Sequence, residues 1–292
     1  MVEKSKTFQI IAHAIMILLC LFCIIPILLL ISSSITAENV LMKSGYSFIP
    51  RKIDLIAYKY LLFDTNSIVR GYTVSIVVTV IGTLINLTLT TLLAYPLSKK
   101  NLPGRNILAF FVFFTMLFNG GLVPSYMMWT QTFHIKNTIW ALIIPNLMLG
   151  AFNVIMMRAY FTTNIPEEVM EAAKVDGAGE MKILLRIVLP MSLPILATLV
   201  LLVGLGYWND WINGLYYVNK DEFYSIQVFL NKMLQNIEML RKAAAAGASA
   251  ASMPSTAIRM AVAVIGAVPI LIVYPFFQRY FVKGIVIGAV KG

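Results

Sequence analysis

Residues 164–194 read NIPEEVMEAAKVDGAGEMKILLRIVLPMSLP, and the rest of the chain is read outward from this stretch. Pro166 suits the first turn of a helix, where its missing N–H would go unpaired in any case. Glu167 and Glu168 follow, and carboxylates there complement the positive end of the helix dipole. Glu171, Ala172 and Ala173 continue with strong helix formers. Gly177 is placed to end the helix, because glycine enters the left-handed conformation of a C-terminal cap without a Cβ clash. A second helical stretch starts at Glu180 and leads into Leu189, Pro190 and an apolar run. The segment is a short helix, a turn and a second helix, charged enough to lie on a membrane surface. Two uses of the first helix stay open on these grounds. It is an interfacial amphipathic helix, or it docks a soluble partner through the small-residue face of Ala172 and Ala173.

On either side lie runs long enough to cross a bilayer, which takes about 20 mostly apolar residues. They are Ile10–Ile31, Tyr72–Leu97, Ile107 to about Leu122, Thr138–Tyr160, Leu189 to about Tyr207, and Ala257–Tyr280. Pro26 is a site for a kink in the first. The first run is too long for a signal-peptide core and lacks a small-residue cleavage site, so it reads as a retained span. The turn NGGLVP, Asn119–Pro124, ends the third. Six spans place both termini on one side. Twelve of the 23 basic residues fall on that side and eleven on the other, which decides nothing. The short loops are more telling: Lys99, Lys100 and Arg105 crowd one, whereas the loop around 120–137 holds only Lys136. That asymmetry puts the termini inside.

Composition agrees with a membrane protein. Of 292 residues, 59% are hydrophobic and 12% charged, and the mean hydropathy is +0.82. A soluble domain carries about a quarter charged residues. The net charge of +10 sits in short clusters between apolar runs, which suits lipid head groups and not nucleic acid. Cys20 and Cys23 form an isolated CxxC inside an apolar run, and His13 and His134 lack ligand-spaced carboxylates, so no metal site is expected. No catalytic constellation is present.

The spacing in the opening segment resembles the EAA loop of binding-protein-dependent ABC import permeases: Glu171-Ala172-Ala173, three residues, Gly177, nine residues, then Ile187, Leu189 and Pro190. Asp176 and Ala178 beside the glycine match the family's usual pattern. The resemblance covers roughly Arg70–Tyr280. It implies an all-α polytopic membrane protein with six transmembrane helices, of the type I ABC importer class. The expected domains are an N-terminal helix and outer loop (1–69), the permease domain (70–280, with the coupling loop at 164–190) and a cytoplasmic tail (281–292). The resemblance further implies a multi-pass protein of a bacterial inner membrane, coupled to an ATPase dimer through Glu167, Glu168, Glu171, Ala172, Ala173, Asp176 and Gly177. The expected partners are that ATPase, a second homologous permease in a heterodimer, an extracytoplasmic solute-binding protein, the solute and lipid. No GxxxxGK[ST] phosphate loop occurs in this sequence, so ATP and Mg are expected on the partner, with no cofactor on this chain.

The lead-in IPEEVMEAA, the Trp208-Asn209-Asp210 cluster and the ending GIVIGAVKG resemble the carbohydrate-uptake branch. The NGGLVPSY segment and the tail resemble permeases for complex oligosaccharides, alginate-type transporters included. An oligosaccharide, acidic or uronate-containing, is the expected solute. A non-sugar solute, a stand-alone secondary transporter and a membrane enzyme or signalling protein are the alternatives; the chain lacks the buried acid pair that proton-coupled carriers use. Tyr207, Trp208, Asn209, Asp210 and Trp211 are candidates for sugar contact, or an interfacial aromatic belt. Asn119 and Tyr126 are weaker candidates, or turn formers. Thr79, Thr83, Asn86 and Thr90 in the second run are explained by helix–helix hydrogen bonds. The outer loop 221–251, with Tyr224, Gln227 and Phe229, is expected to meet the solute-binding protein, or to be an irregular loop with an Ala-rich helix.

Overall fold

A computed structural model describes residues 6–63, 67–245 and 255–289. Lys4, residues 246–251 of the Ala-rich stretch, and Lys291–Gly292 at the end of the tail lie outside the described residues. Among those described, regular structure is helical, apart from one isolated bridge between Thr36 and Ile53. The order is α1 (Lys6–Ser34), α2 (Glu38–Ser44), α3 (Ile56–Phe63), α4 (Ser67–Ser98), α5 (Arg105–Leu117) and α6 (Leu122–Met127, continued by a π-turn, Met128–Thr132). Then come α7 (Trp140–Ile143), α8 (Ala151–Asn164), α9 (Glu167–Val175), α10 (Glu180–Ile183, continued by a π-turn, Leu184–Val188) and α11 (Leu189–Met191). The chain continues with α12 (Leu193–Asn209), α13 (Ile212–Tyr217), α14 (Ile226–Ala245) and α15 (Ser255–Ala289).

Among the described residues, three helices are long and apolar enough to cross a membrane: α1, α4 and, over Thr256–Phe276, α15. Two more stretches qualify as bent pairs. Arg105–Leu117 and Leu122–Thr132 turn by 110°, and Glu180–Met191 and Leu193–Asn209 turn by 82°. Length and composition thus give three to five of the six expected spans. The differences have local causes. The third run breaks at Gly121, whose φ is +88°. The fourth splits into α7 and the 14-residue α8 around Pro145 and Asn146, the latter at φ +62°. The fifth bends at Ser192, between Pro190 and Pro194. Each break frees backbone carbonyls, which need partners where water is absent.

The chain forms two compact units. One comprises residues 1–69 and 230–269, the other 70–229 and 270–292. In the first, the Glu38 carboxylate accepts the Thr256 and Ala257 N–H groups (3.0 and 2.8 Å), capping the start of α15. Arg259 pairs with Glu238 at 2.8 Å. The second unit holds two apolar clusters. One gathers Ala94, Tyr95, Leu97, Met157, Phe161, Ile183 and Leu199. The other gathers Val74, Val78, Ile143, Tyr207, Tyr217 and Val228. Helix α4 contributes to both, and a 32-residue helix is about 48 Å long.

Candidate functional site

Helix α9 is set up by its own caps. Pro166 precedes it in extended backbone (φ −61°, ψ 134°), one position earlier than the sequence places it, and Glu167 and Glu168 fill the first turn. At the other end Gly177 takes φ +78°. The Ala178 N–H donates to the Ala173 carbonyl (2.9 Å) and the Gly177 N–H to the Lys174 carbonyl (3.0 Å), the paired bonds of a Schellman cap. A Cβ on Gly177 would meet nothing within 4 Å. The need for glycine is therefore conformational, and a side chain there strains the backbone by about 1–3 kcal/mol.

The helix has two faces. Met170, Ala173 and Ala178 pack against the cluster around Tyr95 and Ile183. Glu168, Glu171, Ala172 and Asp176 point outward and are exposed. Val169 and Val175 are exposed with them, Val175 by 87%. The EAA triplet is thus divided: Ala173 seats the helix, Ala172 faces away from it, and Glu171 is exposed at the edge beside Glu167 and Lys174.

Ion pairs hold this helix to the end of α4. The Lys100 Nζ donates to Glu167 Oε2 at 2.8 Å. That bond, with the charge of Lys100, holds the Glu167 carboxyl below the ordinary glutamate range and raises Lys100. The Lys174 Nζ lies 2.7 Å from Glu180 Oε1, and this bond raises Lys174. The Tyr95 hydroxyl donates to Glu180 Oε2 at 2.6 Å. Lys99 stands 3.7 Å from the same oxygen, 4.5 Å above the Tyr95 ring and 3.1 Å from Met170 Sδ. Burial pulls the Lys99 ammonium down, and Glu180 opposes this. A cleft of about 470 Å³ opens here, lined among others by Tyr95, Lys99, Lys100, Glu167, Met170 and Glu171. Nothing in the sequence pointed to Tyr95 or Glu180 as partners. Lys99 and Lys100 were legible only as a basic loop.

The candidates for solute contact sit elsewhere in the same unit. Tyr207 is 2% exposed, and its hydroxyl donates to the Ile143 carbonyl at 3.0 Å. A Cβ on Gly82 would lie 2.5 Å from its ring, so glycine admits the close approach. Trp208 is buried beside Tyr72, with ring centroids 6.2 Å apart. Asp210 Oδ1 accepts the Ile212 N–H (3.1 Å) and the Asn213 N–H (3.3 Å) at the start of α13. Asn209 and Trp211 are exposed. Asn119 Oδ1 accepts the Gly121 N–H at 2.8 Å, forming the turn there. Tyr126 stacks on Tyr217 at 5.9 Å and takes a hydrogen bond from Lys136 at 2.9 Å. The structure gathers Tyr126, Tyr207 and Tyr217 around one apolar cluster.

The polar residues of α4 divide. Asn86 Nδ2 donates to the Leu147 carbonyl at 2.7 Å and Thr90 bonds Asn86 at 3.2 Å. The Thr79 and Thr83 hydroxyls are buried without a hydrogen-bond partner among the described residues, so the expected helix–helix bond fails there. Both threonines border Gly204, which offers no side-chain donor or acceptor. Asn213, which the sequence did not single out, donates from Nδ2 to the Pro145 carbonyl at 2.9 Å. Among the described residues no group of three His, Cys, Asp or Glu could hold a metal ion. Tyr224 is buried and α14 replaces the irregular outer loop.

Comparison with known proteins adds to this geometry. Residues 86–287 match the family described as binding-protein-dependent transport system inner membrane component. The polygalacturonan/rhamnogalacturonan transport system permease protein YtcP of Bacillus subtilis (strain 168) is 36% identical, over 99% of this chain and 100% of that protein. Protein LplC of the same organism is 38% identical, over 92% of this chain and 90% of its own length. Among solved structures, a bacterial ABC transporter involved in import of the acidic polysaccharide alginate aligns with a TM-score of 0.81 and 28% identity. It covers 96% of this chain and 100% of that one.

Proposed function

We infer the function from family membership: the chain belongs to the binding-protein-dependent transport system inner membrane components. It is a multi-pass permease subunit of an ABC importer for a carbohydrate. The solute is an oligosaccharide, and the reading extends to uronate-containing ones. Two things support the acidic class: the printed substrates of the polygalacturonan/rhamnogalacturonan and alginate relatives, and the eleven basic residues on the outer side.

The observation that carries the coupling is helix α9. Its inner face is seated on the apolar cluster and its outer face leaves Glu171, Ala172 and Val175 uncovered. A cytosolic ATPase dimer receives this outer face. ATP and Mg are held by that ATPase, and this chain performs no hydrolysis. Closure of the ATPase pushes α9 and turns the spans between outward- and inward-open arrangements as a rigid-body movement. A second homologous permease completes the path, so this chain supplies half of it. A solute-binding protein delivers the sugar from outside, and both termini face the cytoplasm of a bacterial inner membrane.

The test is uptake of labelled oligogalacturonides by cells carrying Gly177→Val or Glu171→Ala. Strain at the cap, or loss of the outward carboxylate, should lower uptake by about tenfold while the membrane level of the chain holds. Normal uptake in both variants would exclude α9 as the coupling element.

A further inference from the structure

We propose that Glu180 is a positioning residue that locks α9 to α4, so that α4 is the rod carrying the ATPase's movement to the outer side. This rests on the reading of α9 as the docking helix.

The attachment is spread along α9. Its first turn is tied by Glu167 to Lys100, and its middle by Met170 to Lys99. The last turn is tied by Lys174 to Glu180, which lies beyond the Gly177 cap. Glu180 uses both oxygens. Oε1 takes Lys174, and Oε2 takes the Tyr95 hydroxyl at 2.6 Å with Lys99 at 3.7 Å. Tyr95 and Lys99 sit in and just beyond the last turn of α4, and Tyr95 is itself buried. The Tyr95 ring meets Phe161 edge-on at 6.5 Å, which fixes the hydroxyl's direction. A carboxylate held on two sides by groups from two elements joins them more firmly than one exposed pair does.

Beyond this joint, α4 runs without a break to the other end of the unit. There the Ser75 hydroxyl accepts the Ile226 N–H at 2.8 Å, and Gly71 lies against the Ile226 backbone, 3.3 Å from where its own Cβ would stand. Backward from α9, by contrast, the chain passes through Ile165 and Pro166 in extended backbone. Forward it passes through Gly177 and the π-turn at Leu184–Val188. The chain on both sides of α9 is bent, and the lateral tie to α4 is the straight one.

The experiment uses the assembled complex in proteoliposomes, with Cys20 and Cys23 replaced by Ser and a reporter at Arg70→Cys. Arg70 is exposed near the outer end of α4. Its labelling by a water-soluble maleimide is followed before and after Mg-ATP with vanadate, so no solute is needed. In the parent the labelling rate should change by about fivefold or more. In Glu180→Gln, and in the Glu180→Gln/Lys99→Met double variant, that change should disappear while the ATPase remains bound in full amount. Lys174→Met, which cuts the link between Glu180 and α9, should lose the change as Glu180→Gln does. The proposal is overturned by a parent rate that ignores nucleotide, or by a double variant that responds as the parent does. It is equally overturned if Glu180→Gln releases the ATPase, because Glu180 would then serve docking. Failure of the parent chain to hold any ATPase would instead remove the docking reading beneath it.

Discussion

The two ends of α4 are held by different chemistry. At the Lys99 end the ties are charged and partly open to solvent: Lys100 with Glu167, Lys174 and Lys99 with Glu180. In the half that carries Ser75, Gly82 and Asn86 the ties are uncharged and mostly buried. Asn86 and Asn213 donate to carbonyls in the broken stretch between α7 and α8, at Leu147 and Pro145, and Tyr207 donates to the carbonyl of Ile143 at the end of α7. A buried donor whose loss orphans a carbonyl is worth about 1–3 kcal/mol, whereas an exposed ion pair is worth about 0–1 kcal/mol. The half that carries Ser75 is therefore a fixed scaffold, and the Lys99 end is an attachment whose strength comes from several weak ties acting together.

Breaking the scaffold should have the largest effect. Gly82→Val drives a branched side chain into the Tyr207 ring, and Asn213→Ala removes one of two donors to the Pro145 carbonyl, which keeps the Leu147 N–H at 2.8 Å. Gly82→Val should destabilise the folded chain by about 2–3 kcal/mol and Asn213→Ala by about 1 kcal/mol, read as a fall in the thermal midpoint of the detergent-purified protein. Next comes Tyr95→Phe at the attachment. It removes a charge-assisted bond but leaves Glu180 half in water, so about 1 kcal/mol is expected, with a larger loss of coupled uptake. A drop in stability as large as that of Gly82→Val would erase the distinction between the two ends.

Much of the scaffold was legible beforehand, and for physical reasons. Helices α1, α4 and α15 follow from uninterrupted apolar runs. The cap at Gly177 follows from one glycine after a run of helix formers. The breaks at Asn146 and Ser192 were not legible as breaks, because their flanks are as apolar as any span; around Asn146 the donors Asn86, Asn213 and Tyr207 satisfy the opened backbone, and beside Ser192 the Tyr160 hydroxyl reaches the Met191 carbonyl. Tyr207 and Trp208 read as an aromatic belt or a sugar platform; burial against Gly82 and Tyr72 depends on residues more than a hundred positions away. Glu180 was invisible for the same reason. Its partners Tyr95 and Lys99 lie on a different helix, and charge patterning sees only neighbours.

The smallest effects belong to the exposed strut. Lys100→Met or Glu167→Gln should leave the thermal midpoint unchanged within error at neutral pH. Because Lys100 holds the Glu167 carboxyl below its ordinary value, the stability from this contact is present above the unfolded glutamate value. It is lost as pH falls through the lowered folded value. Melting curves of parent and Glu167→Gln protein should therefore coincide at the acid end and differ slightly, if at all, at neutral pH. A larger gap in acid would reverse the sign of the account.

The most direct test asks what covers the outward face of α9. A tagged parent chain and its Val175→Asp variant are purified from membranes of the cells that make them, and the bound proteins are identified by mass spectrometry. The account predicts an ATPase with a GxxxxGK[ST] motif on the parent and its loss, by about tenfold or more, from Val175→Asp at equal membrane level. Full retention of that ATPase by the variant would contradict docking through α9.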